Sequence, residues 1–184
     1  MVASDRPLLL LVTGPPASGK TGVGRGLAER LGLPVVSKDD LKETLYDVLG
    51  QGDELEDAVE RAARALAFRV AGVQLAAGVP VLVESDFDPE RDVEPLSRLV
   101  EEHDARLVQV HIDGDPETLV RRFVERAEHG DRHPGHGDGA GDADELRALL
   151  EAGRWDPLEL DGELHRFDLD ERDEIVDRLA AQLT

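Results

Sequence analysis

The stretch that decides the fold is Gly14–Thr21, "GPPASGKT". It fits the spacing G-x-x-x-x-G-K-[ST], the signature of a loop that cradles phosphates between a strand and a helix. Gly14 and Gly19 allow backbone angles that bring amide N–H groups round an anion. A helix beginning near Lys20 directs its positive dipole end at the same point. Lys20 adds a point charge on the β/γ-phosphates, and Thr21 offers a hydroxyl to Mg²⁺. The candidate nucleotide-binding set is therefore Gly14, Pro15, Ala17, Ser18, Gly19, Lys20, Thr21 and Gly22. A bare glycine-rich turn would show the same letters, so the flanking sequence has to decide.

It does. "PLLLLVTG" (Pro7–Gly14) is a short apolar run closed by glycine and reads as a buried strand. Thr21–Leu31 reads as a helix stopped by Gly32. Glycines at 22, 24 and 26 each disfavour that helix by roughly 1 kcal/mol relative to alanine, so packing against a sheet must hold it. Further along, strands are expected at "LPVVS", "VPVLVES" (Val79–Ser85), "ARLVQVHID" (Ala105–Asp113) and Leu164–Asp168. Helices are expected at Asp39–Leu49, Glu54–Ala77, Pro89–His103, Asp115–Glu128, Ala143–Ala152 and from Glu171. "HGDRHPGHGDGAGD" (His129–Asp142) holds five glycines and three histidines and reads as a loop. Strands alternating with helices imply a parallel sheet with helices on both faces. Ligands of such sheets bind at the carboxyl ends of the strands.

Composition bounds the function. The chain of 184 residues is expected to be one domain, with a lid over approximately 116–145. It has no cysteine, which excludes disulfides and thiolate metal sites. Its net charge of −20 opposes non-specific contact with nucleic acid. A local basic pocket still admits a small anionic substrate. No stretch approaches the roughly 18 apolar residues of a membrane span. The start lacks a basic region and a small-residue cleavage site, so a cytoplasmic location without membrane contact is expected.

The chain has three lysines, at 20, 38 and 42, and two of them lie in "SKDDLKE" (Ser37–Glu43) after the second strand. Ser37 and Asp40 have capping-box spacing at a helix start. A carboxylate here is also placed to accept the proton of an attacking hydroxyl, the base role that phosphoryl transfer needs. Asp39 is the candidate base. Lys42, three residues on, shares its helical face and is placed to steady a transferring phosphoryl. Lys38 has no such account and is expected to face solvent. After the third strand, "VESDF" brings Glu84 and Asp86; Glu84 is the candidate for Mg²⁺ together with Thr21, while Asp86 is expected to cap the helix after Pro89. Tyr46, Phe87 and Trp155 are expected to pack in the core.

The P-loop, the D-D-L-K element (Asp39–Lys42) and "VLVESDF" together resemble the P-loop kinase group that includes polynucleotide 5′-hydroxyl kinases, chloramphenicol phosphotransferase and zeta-toxin-like small kinases. The resemblance covers nearly the whole chain in element order. It implies an α/β P-loop NTPase fold: a five-stranded parallel sheet of order 2-3-1-4-5 and a small helical lid. In polynucleotide kinases a D-D-x-R element carries the general base in its first aspartate and a phosphate contact in its arginine; those roles would fall on Asp39 and Lys42, with lysine in place of arginine. Similar kinases close a helix and loop over the nucleotide. Arg122 and Arg126, four apart on one helical face, and Arg132 are then the lid candidates for the triphosphate, Arg126 also for catalysis, with His133 beside them in the loop. Arg121 points elsewhere.

The function expected is transfer of the γ-phosphoryl of ATP to a hydroxyl of a small molecule, with Mg²⁺. Lys20, Asp39, Lys42 and Arg126 carry the chemistry in this reading. A polynucleotide 5′-hydroxyl kinase is the alternative, disfavoured by acidity. A nucleotide-binding regulator without phosphotransfer is the second.

Overall fold

The computed structural model describes residues 6–50, 52–129, 133 and 143–183. The first strand, β1 (Leu8–Thr13), is the centre of a five-stranded sheet. β2 (Val35–Ser37), β3 (Val81–Glu84), β4 (Arg106–Asp113) and β5 (Glu163–Asp168) complete it in the order β2-β3-β1-β4-β5, with every pairing parallel. The expected order is the observed one. Leu9, Leu10, Leu11 and Val12 are all fully buried, because a parallel sheet is covered on both faces and its central strand need not alternate.

Seven helices occur among the described residues: α1 (Lys20–Leu31), α2 (Lys38–Leu49), α3 (Asp53–Ala76), α4 (Pro89–Glu102), α5 (Pro116–His129), α6 (Ala143–Glu151) and α7 (Arg172–Leu183). Leu10, Val12, Val108, Val110 and Ile112 face α1 and α7 through Leu27, Ile175 and Leu179. Leu9, Leu11, Val81 and Val83 face α3 and α4 through Ala67, Ala71, Leu75 and Leu96. Each buried Leu or Val contributes about 1.5–3 kcal/mol. No described helix is long and apolar enough to cross a membrane.

Strand register aligns the carboxyl ends. Ser37 pairs with Glu84, Val12 with Glu84 and Thr13 with His111. Element ends fall within about two residues of those read from sequence. α7 is preceded by a 3₁₀ turn at Leu169–Glu171, where the Asp168 carboxylate accepts from the Asp170 amide at 3.1 Å.

The glycines of α1 divide by position. A Cβ on Gly24 would lie 3.6 Å from the Glu84 and Leu82 side chains, and one on Gly26 would lie 3.0 Å from Val176 of α7. The first is ordinary contact with room for a methyl group but not for a large side chain, whereas the second shows that Gly26 lets the helix approach α7. A Cβ on Gly22 would meet nothing within 4 Å. Gly22→Ala is therefore expected to stabilise the unliganded chain by about 0.5–1 kcal/mol, while Gly24→Leu destabilises it by about 1–3 kcal/mol through overpacking. Urea unfolding of the two variants checks both signs.

Candidate active site

The Gly14–Thr21 loop leaves β1 and enters α1 as expected. Gly14 (φ 144°), Ala17 (φ 64°) and Gly19 (φ 84°) all have positive φ. A Cβ on Gly14 would lie 2.6 Å from the Ile112 carbonyl oxygen, so only glycine fits there. Ala17 takes the left-handed conformation without being glycine. It packs against a small cluster made by α5, α6 and Trp155 (Val120, Phe123, Leu146, Leu150). The Lys20 ammonium is folded back, donating to the Pro15 carbonyl at 3.4 Å. Ser18 Oγ is buried without a hydrogen-bond partner.

Beneath the loop runs a relay that the sequence reading did not single out. Thr13 Oγ1 lies 2.8 Å from His111 Nδ1, and His111 Nε2 lies 3.3 Å from Asp113, which also binds Arg166 at 2.8 and 2.9 Å. Burial lowers the His111 pKa. The neutral ring can then donate from Nε2 to Asp113 and accept from Thr13 at Nδ1, fixing the strand end from which the loop springs.

Thr21 Oγ1 donates to Glu84 Oε1 at 3.1 Å, and Ser37 Oγ donates to Glu84 Oε2 at 3.1 Å. Glu84 is buried, and burial raises its pKa; the Lys20 ammonium opposes this and the Asp39 carboxylate reinforces it. An oxygen-only pair, hydroxyl and carboxylate, at the mouth of the loop is a donor set suited to a hard divalent cation. Asp86 is turned to other work.

Lys38, expected in solvent, is 4% exposed. Its ammonium lies 2.5 Å from Asp86, 3.0 Å from Glu60 and 3.6 Å from Asp39. Burial alone would lower the Lys38 pKa; Asp86, Asp39 and Glu60 outweigh it and hold the ammonium well above its usual range. Burial likewise works to raise Asp86, but Lys38 and Lys20 hold its carboxyl well below the usual carboxylate range. The expected helix cap at Asp86 is corrected: Asp88 caps α4, accepting from the Glu90 amide at 2.9 Å. One turn of α3 completes the cluster. Glu60 also takes Lys42 at 3.3 Å and Arg64 at 3.0 Å, and Arg64 reaches buried Asp92 at 3.3 Å.

Ser37 caps α2 by accepting from the Asp40 amide at 3.3 Å. Asp40 itself is exposed and faces Arg25. Asp39, Lys20, Lys38 and Lys42 line one cavity of about 340 Å³, together with Glu60, Arg64, Asp86, Arg91, Arg154 and Trp155. Tyr46 and Phe87 are buried as expected. Trp155 is not purely core: it is partly exposed and lines this cavity. A larger cavity, about 530 Å³, opens at the opposite end of the sheet around Arg6 and Arg106, away from the loop.

The lid candidates are less gathered. The Arg126 guanidinium sits 5.7 Å from the Phe123 ring centroid. Neither Arg122 nor Arg126 lines the Asp39 cavity. His133 rests on α2, 3.1 Å from Asp47 and stacked on Tyr46, rather than at a phosphate position. Arg132 lies outside the described residues.

A family model described as an AAA domain matches residues 9–138, which span the loop, the Asp39 segment, Glu84 and α5. The chain belongs to this AAA domain family. A solved structure of a "putative kinase" from Chloroflexus aurantiacus is 33% identical and covers 97% of this chain and 99% of its own, with a TM-score of 0.86. Shikimate kinase of Thermobifida fusca is 42% identical over 83 residues, 41% of this chain and 48% of that enzyme. An uncharacterized protein of Mycobacterium tuberculosis is 27% identical over 127 residues, 65% of this chain. The match spans about a quarter (26%) of that longer protein's length. The fold is thus a kinase-like P-loop fold.

The Lys38 cluster gives a stability prediction. Lys38→Met strands Asp86, while Glu60 keeps Lys42 and Arg64, and is expected to cost about 3–5 kcal/mol. The sign for Asp86 follows from its depressed pKa. Its contribution is complete above the ordinary Asp value of about 4 and is lost as pH falls through the lowered folded value. The stability gap between the parent chain and Asp86→Asn should therefore be widest near neutral pH and shrink in strong acid, as read by urea unfolding across that range.

Proposed function

We propose that the chain transfers the γ-phosphoryl group of ATP to a hydroxyl of a small molecule. The observation that carries this is the shared cavity: Lys20 from the loop and Asp39 from the start of α2 line one space at the carboxyl ends of β1, β2 and β3. The acceptor oxygen forms a bond to the γ-phosphorus, the bond from that phosphorus to the β,γ-bridging oxygen breaks, and ADP departs. Asp39 receives the hydroxyl proton. Lys20 swings from the Pro15 carbonyl onto the β/γ-phosphates. Lys42, anchored by Glu60, steadies the moving phosphoryl.

The residues present fit a triphosphate and its metal. The positive-φ loop with its unpaired Ser18 hydroxyl suits phosphate, and Thr21 with Glu84 would hold Mg²⁺. Bound there, the ion would neutralise charge on the β- and γ-phosphates. Arg122 and Arg126 are proposed to meet the triphosphate from α5, whose Val120 and Phe123 belong to the cluster against which Ala17 of the loop packs.

The cavity wall mixes cations with Asp39, Glu60 and Asp86. A uniformly basic channel would suit a polynucleotide; a mixed one suits a small acceptor. The shikimate kinase relative supports the same choice. A regulator without chemistry would have no need of a carboxylate facing Lys20 across a cavity.

Asp39→Asn is expected to abolish transfer of labelled γ-phosphoryl to hydroxyl acceptors, a loss of about 10²-fold or more, while binding of ATP stays within a few-fold of the parent. Undiminished transfer in that variant would sink the assignment.

A further inference from the structure

The cavity around Asp39 has two unlike walls. On the first, apart from Lys20 of the phosphate loop, the cations are matched: Lys38 by Asp86, Glu60 and Asp39, Lys42 by Glu60, and Arg64 by Glu60 and Asp92. On the second, Arg91 and Arg154 share a single carboxylate. Both reach Asp88 Oδ2, at 3.2 and 3.0 Å, while Asp88 Oδ1 accepts from the Glu90 amide. One positive charge is left over there.

The same wall holds two unpaired donors. Arg154 Nη1 and Trp155 Nε1 are both buried without a hydrogen-bond partner. The Arg154 guanidinium lies 5.7 Å from the Trp155 ring centroid, so the two form one surface. Neither group can accept a hydrogen bond. Buried donors are costly to leave unpaired unless a ligand brings the acceptor. A surplus cation beside two unpaired donors suits an anion, and a guanidinium fork suits a carboxylate or phosphate in particular. Glu56 and Asp57 of α3 also line the cavity; like Arg91 they are exposed, where water screens all three, so the buried donors of Arg154 and Trp155 weigh most. Arg154 and Trp155 also lie beyond residues 9–138, the segment matched by the family model. The wall is therefore placed to set specificity on a shared phosphoryl-transfer frame.

We infer that the acceptor is a small hydroxylated molecule bearing an anionic group, which Arg154, Arg91 and Trp155 hold while its hydroxyl lies toward Asp39. This rests on the phosphotransferase reading above. A carboxylate and a phosphate ester share the required chemistry, and so does the γ-phosphate of ATP itself.

Trp155 is the only tryptophan of the chain, so its fluorescence reports this wall directly. The full chain is titrated with gluconate, glycerate and glycerol 3-phosphate, with the neutral compounds glucose and glycerol, and with cationic ethanolamine. Each is used at millimolar concentration, with and without Mg²⁺ and the β,γ-imido analogue of ATP. At least one acid is expected to shift the emission saturably, and the neutral and cationic compounds are not. Which acid responds separates carboxylate from phosphate ester. Arg154→Gln should weaken that response about ten- to hundredfold, as loss of a charge-assisted hydrogen bond does, and Arg154→Lys should restore part of it. A response to the neutral or cationic compounds alone, no response to any acid, or an unaltered response in Arg154→Gln overturns the inference. So does an Arg154-dependent response to the ATP analogue to which the acids add nothing, because the donors would then belong to the nucleotide. Labelled phosphoryl transfer to the same compounds separates the two readings. Asp39-dependent transfer to neutral acceptors alone overturns this inference and supports the kinase. Saturable acid binding with no Asp39-dependent transfer supports the anion wall and overturns the kinase.

Discussion

One buried ammonium holds the site together. Lys38 sits where β2 becomes α2 and draws Asp86 from the end of β3, Glu60 from α3 and Asp39 from its own helix to a single point. A lone ammonium at such depth would be strongly disfavoured by desolvation, and the carboxylates around it would be disfavoured for the same reason. Each is tolerable only while the others are in place. The arrangement therefore acts as a geometric constraint: the buried ammonium ties the start of α2, which carries Asp39, to the end of β3 and to α3. Breaking such a cluster from one side is far costlier than never building it.

The phosphate loop is held by a different kind of constraint, contact rather than charge. The near approach of Ile112 to Gly14 admits no side chain, and the neutral His111 below Thr13 fixes the strand that feeds the loop. α1 packs at Gly24 against Glu84 and Leu82, and its Thr21 lies within hydrogen-bond reach of that carboxylate. Gly26, which weakens the helix in isolation, lets it close on Val176 of α7. The two constraints meet at Glu84, bound by Thr21 on one side and by Ser37 on the other. Loop and acceptor side are joined through one buried carboxylate.

Much of this was legible in the sequence because it is local. The loop motif, the apolar runs and the stop glycines fix strands and helices by short-range rules, and the parallel sense of the sheet follows from their alternation, while its order comes from the resemblance to P-loop kinases. Ser37 as a cap and Asp39 as the inward acid were readable from spacing alone. Lys38 was not, since its burial depends on Glu60, some twenty residues away, and on Asp86, nearly fifty away. In so acidic a chain, one more glutamate on a helix carries no signal. Asp86 was misread for a related reason: three acids, Asp86, Asp88 and Asp92, stand close together, and only packing decides that Asp88 caps the helix. Arg154 and Trp155 reach the cavity from beyond the family segment, from a stretch with no motif to mark it.

The scarcity of lysine has a further consequence. Lys20, Lys38 and Lys42 are the only lysines, and each is less than a tenth exposed. Among lysine and arginine, the side chains exposed on the outer surface are all arginine. Reagents and enzymes that modify lysine amines, whether acetyl donors, conjugating systems or bifunctional cross-linkers, meet no lysine side chain on that surface. Any lysine modification that does occur falls on the phosphate loop or on the charge cluster beside it, through the cavity that all three lysines line. The chain thus carries a built-in chemical probe of access to that cavity, without a label having to be introduced.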